Sequence, residues 1–107
     1  MTHVDKPQST EYPAYARPYI DQMPDEGMVL DHLSENFQKM DLAVRSLPPG
    51  KWTQPHAEGE WTVQEILVHV MDDERIYAYR ALRFARGDST ELPGFEQDDY
   101  VPYSHAN

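Results

Sequence analysis

The stretch EWTVQEILVHVMDDERIYAYRALRFARG, Glu60–Gly87, reads as one long helix with clear ends. Thr62-Val63-Gln64-Glu65 has the form of a capping box, in which the Thr62 hydroxyl accepts from the Glu65 amide and the Glu65 carboxylate from the Thr62 amide. Trp61, just before the cap, is placed to pack on Ile66 as a hydrophobic staple. Ile66, Leu67, Val70, Met71, Tyr77, Ala78, Ala81, Phe84 and Ala85 then make an apolar surface wider than one partner helix covers. Arg83 and Arg86 offset the dipole in the last turn, and Gly87 suits the stop. The spacing predicts a helix over about 62–86.

At the centre of that helix stand His69 and the acids Asp72, Asp73 and Glu74. At ~100° per residue, Asp72 and Asp73 lie one turn beyond His69 on either flank of its direction, with Arg80 further along nearly the same line. A neutral imidazole can bind a divalent metal through one nitrogen while the other donates to a carboxylate one turn away. The same pattern also describes a boundary histidine bonded to Asp72 or Asp73 and followed by an acid-to-arginine ladder. There is no HExxH, no Glu-x-x-His pair and no second histidine on that face, so both readings stay open. Tyr77 and Tyr79 read as buried aromatics before substrate contacts.

Upstream, Leu30, Leu33, Phe37, Met40, Val44 and Leu47 recur at spacings of 3, 4, 3, 4 and 3, which predicts a bundle helix over about 27–47 ended by Pro48-Pro49-Gly50. His32 lies beside that stripe as a boundary residue. Residues 48–60 form a loop in which Trp52 caps the bundle end and His56 is solvated. Residues 1–26 carry Pro7, Pro13, Pro18 and Pro24 interleaved with Tyr12, Tyr15 and Tyr19. They predict an arm wrapping the domain, with a helical turn near 14–22. Downstream, DSTELPGFEQDDYVPYSHAN, residues 88–107, reads as an acidic loop anchored by Phe95, Tyr100, Val101 and Tyr103. The expected organisation is one small all-α domain: an arm, 1–26, and a helical body, 27–107, closing with a loop over 87–107.

Composition narrows the partners. Nine Lys and Arg against nineteen Asp and Glu give a net charge of −10, which repels nucleic-acid phosphates and anionic lipid. Without cysteine there is neither a disulfide framework nor a thiolate ligand. The opening MTHVDKPQST lacks the apolar core of an export signal, and no apolar run approaches the ~18 residues of a membrane span. The expectation is a soluble, cytoplasmic protein with no nucleic-acid or membrane partner.

The run from Gly59 to Val101 resembles the central segment of the DinB-like (YfiT-type) proteins. The matching elements are Trp61, Thr62 and Glu65; His69, Asp72, Glu74 and Arg75; Arg80, Ala81 and Leu82; Gly87 and Asp88; and Leu92, Pro93, Gly94 and Phe95. The segment EYPAYARPYI and the helix after it are similar to the opening of the same group. The resemblance implies a four-helix bundle, up-down-down-up with a long crossover between its second and third helices. It also implies a divalent metal, zinc or nickel, held by one histidine of the second helix and a His-x-x-x-His pair on the fourth. His69 matches the first of these ligands, with Asp72 or Asp73 to orient its ring, and Arg80 is a candidate for steadying an anionic group of a small-molecule substrate or thiol. Activities in the family include metal-dependent thiol-transferase and hydrolase-like chemistry. No catalytic residue follows from the match.

The sequence ends at Asn107, in or just after the expected crossover, without a His-x-x-x-His pair. The expectation is therefore a bundle represented by its first two long helices, with an incomplete metal site and no activity of its own. Two long helices do not cover each other's apolar surface, and large side chains left bare cost several kcal/mol. A two-fold homodimer restoring four helices is the simplest remedy. An inactive dimerising bundle with a structural histidine is the other class of protein that fits.

Overall fold

A computed structural model describes residues 2–107, and among them the structure is all-helical, with no strand. A 3-10 turn at Ala14–Ala16 leads into α1 (Arg17–Asp21), then α2 (Val29–Arg45), a 3-10 turn at Pro49–Lys51, α3 (Val63–Ala85) and α4 (Gln97–Ser104). The periodicity had placed α2 and α3, and the short turn near 14–22 is present. Among the described residues no helix is long and apolar enough to cross a membrane. The chain divides into two compact units, one ending at Ser46 and the other spanning Leu47–Asn107.

The first unit is organised around the turn entering α2. Gly27 has φ 74, a left-handed conformation that glycine adopts without strain. The His3 ring fills the space a Cβ at that position would need. The Val4 amide donates to the Gly27 carbonyl at 2.9 Å, and the Lys6 ammonium donates to the Met23 carbonyl at 2.8 Å. Lys6 also stands 3.3 Å from Asp25. The proline-rich arm is thus strapped along this turn by its own backbone and one lysine. In the first turn of α2, His32 Nε2 meets the Glu26 carboxylate while its Nδ1 lies 3.7 Å from Glu35. The bond to Glu26 raises the His32 pKa, and the same bond lowers that of Glu26.

In the second unit α3 is the frame, and local chemistry fixes both of its ends. The Thr62 hydroxyl accepts from the Glu65 amide at 3.2 Å, and the Gln64 amide donates to the Trp52 carbonyl at 3.1 Å, satisfying two of the orphan donors of the first turn. Only this half of the expected capping box is made. The Glu65 carboxylate accepts instead from the Asn107 side-chain amide at 2.6 Å. At the other end Gly87 has φ 65; its amide donates to the Phe84 carbonyl at 2.9 Å and the Asp88 amide to the Arg83 carbonyl at 3.0 Å. That pair of bonds is a Schellman stop. Asp88 then accepts from the Thr90 amide at 2.9 Å and pairs with Arg83 Nε at 2.5 Å. These bonds to Thr90 and Arg83 bring its carboxyl down to about 2.

The segment read from sequence as a loop contains α4. Pro102 lies inside it and removes a backbone donor, which is why composition argued against a helix there. Asp98 and Asp99 in its first turn are the opposing signal. Across the described residues no hydrophobic side chain is buried, and Thr62 is the one buried polar residue, at 4 % exposure.

Two outcomes test this account. Gly87→Ala forces a Cβ into the left-handed region and lowers stability by about 1–2 kcal/mol, read as a fall in the urea midpoint. For His32 the sign follows from its raised pKa. Its contribution is fully present below the unfolded histidine value of about 6.5 and is lost as pH rises through the folded value. Glu26, held below its ordinary 4.5, gives up its share as pH falls through its lowered value. An NMR titration of the His32 ring gives a midpoint above the ordinary histidine value, and Glu26→Gln brings it down; an unmoved midpoint contradicts the pairing.

Candidate functional site

His69 lies near the end of the second turn of α3 with its side chain 18 % exposed. Its Nε2 is 3.2 Å from Asp73 Oδ2, one helical turn on. Asp73 Oδ1 is buried and without a hydrogen-bond partner. The Trp61 ring stands 5.1 Å from the imidazole, centroid to centroid, at a tilt of 57°. Trp61 and Asp73 therefore both hold the ring.

Asp72 leaves on the other flank. Its Oδ1 is 3.7 Å from Arg75, and with Glu65, Val68 and His69 it lines a closed face between α3 and α4. From the opposite side Phe95, Gln97, Tyr100, Val101 and Ser104 complete the lining, and the space among them has no room for a water molecule. Helical geometry allowed either acid to meet the histidine. The structure brings Asp73 to it, and leaves Asp72 beside it.

Arg80, on nearly the same line of the helix, is turned to the loop after α3. Its guanidinium donates to the Pro93 carbonyl at 3.1 Å and sits 5.4 Å from the Tyr77 ring centre and 5.8 Å from that of Phe95. Phe95 in turn stacks with Tyr100 at 5.2 Å. The Leu92-Pro93-Gly94-Phe95 run is thus tied to α3 through one arginine.

The donor set tests whether a metal fits. A structural zinc site takes four ligands and a catalytic one three plus an open position. One histidine and its neighbouring carboxylates do not reach that: no group of three or more His, Asp or Glu side chains among the described residues is placed to hold a metal ion.

Sequence reasoning named Phe95, Tyr100 and Val101 as anchors of this segment; it missed Gln97 and Ser104, which α4 brings to this face, and Asn107, which meets Glu65 at the start of α3. Asp98 and Asp99 were the available signal for α4. Nothing local in the sequence announces that Asn107 returns to Thr62.

Neither the curated proteins nor the solved structures give a significant match to this chain. The family model of the DinB superfamily matches residues 32–105, which takes in all but the first three residues of α2, the α3 cap, His69, the Schellman stop and α4. On that match the chain belongs to the DinB superfamily.

Proposed function

We propose that this DinB-superfamily chain acts as half of a helical bundle that a second copy completes. One observation carries the reading. No hydrophobic side chain is buried among the described residues, while Leu33 and Phe37 on one face of α2 and Tyr77 and Phe84 on one face of α3 are each more than half exposed. Burying one such side chain fully is worth roughly 1.5–3 kcal/mol, so the side chains that both copies of a pair cover together offset the ~4–15 kcal/mol lost on association. A two-fold interface lets the same stripe serve both partners. The charge of −10 on each copy opposes this, so moderate salt strengthens the pairing.

A second reading rests on the His69–Asp73 geometry. The carboxylate facing Nε2 has the placement of a group that orients a ligating histidine. We take His69 as one ligand of a divalent ion, zinc or nickel, whose other ligands lie outside the described residues. Thiol-transferase or hydrolase-like chemistry on a small molecule or thiol belongs to that completed set.

Light scattering of protein purified without a histidine tag gives twice the 12.4 kDa chain mass, and Phe37→Asp shifts it to the single mass. A monomer at all concentrations overturns the assembly. Elemental analysis of the same preparation finds zinc or nickel that His69→Ala removes without changing the mass. Metal retained by His69→Ala, or never present, overturns His69 as a ligand.

A further inference from the structure

We infer that α4 is a lid over the His69 face, latched shut by the residues that follow it onto the start of α3. The inference rests on His69 as the candidate ligand and concerns access to it. Three observations carry it. First, α4 has eight residues with Pro102 inside, well short of the ~12–15 at which helices persist alone, so it exists because it is docked. Second, it docks on the candidate site: Gln97, Tyr100, Val101 and Ser104 close over Glu65, His69 and Asp72 with no space left for water.

Third, both ends of α4 are tied to α3 by side chains. Before the helix, Arg80 holds the Pro93 carbonyl and Phe95 stacks on Tyr100. After it, His105 turns the backbone at φ 51, and the Ala106 carbonyl accepts from the Gln64 side chain at 2.5 Å. Asn107 Oδ1 accepts from the Thr62 hydroxyl at 2.7 Å, and its Nδ2 donates to Glu65 Oε1 at 2.6 Å. The lid is hinged at Pro93–Phe95 and latched at Ala106–Asn107.

Glu65 joins the latch to the site. The same carboxylate caps Asn107 and lines the face that includes His69 and Asp72. The latch and the covered face thus share one side chain.

The test is the reaction of His69 with diethylpyrocarbonate, followed by peptide mass spectrometry, with hydrogen exchange over 97–104 in parallel. In the wild-type protein His69 reacts more slowly than His56 in its exposed loop. Asn107→Ala, and separately Val101→Asp, speed exchange over 97–104 and raise the His69 rate several-fold, while amides of 63–85 keep their protection. Wild-type His69 reacting as fast as His56 overturns the lid. So does faster exchange of α4 with an unchanged His69 rate, and unchanged exchange in Asn107→Ala overturns the latch. Metal content plays no part in these readouts, so failure of the lid and failure of the metal reading are told apart.

Discussion

Two long amphipathic helices can pair nearly all of their backbone groups and still have nowhere to put their apolar side chains. The stripe of α2 and the apolar surface of α3 are each drawn at bundle spacing, and none of their hydrophobic side chains is buried. A domain of this size is already marginal with a closed core. Without one, local devices hold each helix in place, and tertiary stability is left to whatever covers the stripes.

Those local devices are unusually complete on α3. Its start has a side-chain cap and a backbone partner from Trp52; its end has a glycine stop reinforced by the Arg83–Asp88 pair. The buried group in this unit is polar, Thr62, and its hydroxyl is satisfied on one side by the Glu65 amide and on the other by Asn107. Burying a hydroxyl without partners is costly, and the Thr62 hydroxyl has two acceptors within reach, Asn107 Oδ1 at 2.7 Å and Glu65 Oε1 at 3.3 Å. The start of α3, the tail of the chain and the face of His69 are in this way one connected structure. Family elements that look separate in the sequence acquire physical roles there: Gly87 and Asp88 end the helix, and Arg80 fastens the Leu-Pro-Gly-Phe run.

Most of the fold was legible because it is written in periodicity and punctuation. The 3,4 spacing of Leu30 through Leu47 and the Thr62-to-Gly87 frame each mark a helix with little ambiguity. The helix α4 was not legible, because Pro102 is a local signal against helix and its docking is a tertiary effect that overrides it. At the candidate site, helix geometry narrowed the partner of His69 to two acids and could go no further, since Asp72 and Asp73 lie on symmetrical flanks. What chose between them was the surroundings: Arg75 draws Asp72, and Asp73 is left to the imidazole. Arg80 shows the converse, a cation aligned with the site along the helix whose head group is taken by a loop carbonyl and two rings. Alignment on a helix fixes where a side chain starts, and the length of arginine decides where it ends.

The central claim is that the apolar faces are covered between copies, so that folding and association are coupled. The direct measurement is urea unfolding, followed by far-UV circular dichroism, over a wide range of protein concentrations. Coupled folding predicts a midpoint that rises steadily with concentration, as mass action requires for a dimer that unfolds to monomers. A single sharp transition at the same urea concentration throughout would show a chain stable on its own, and would contradict the account.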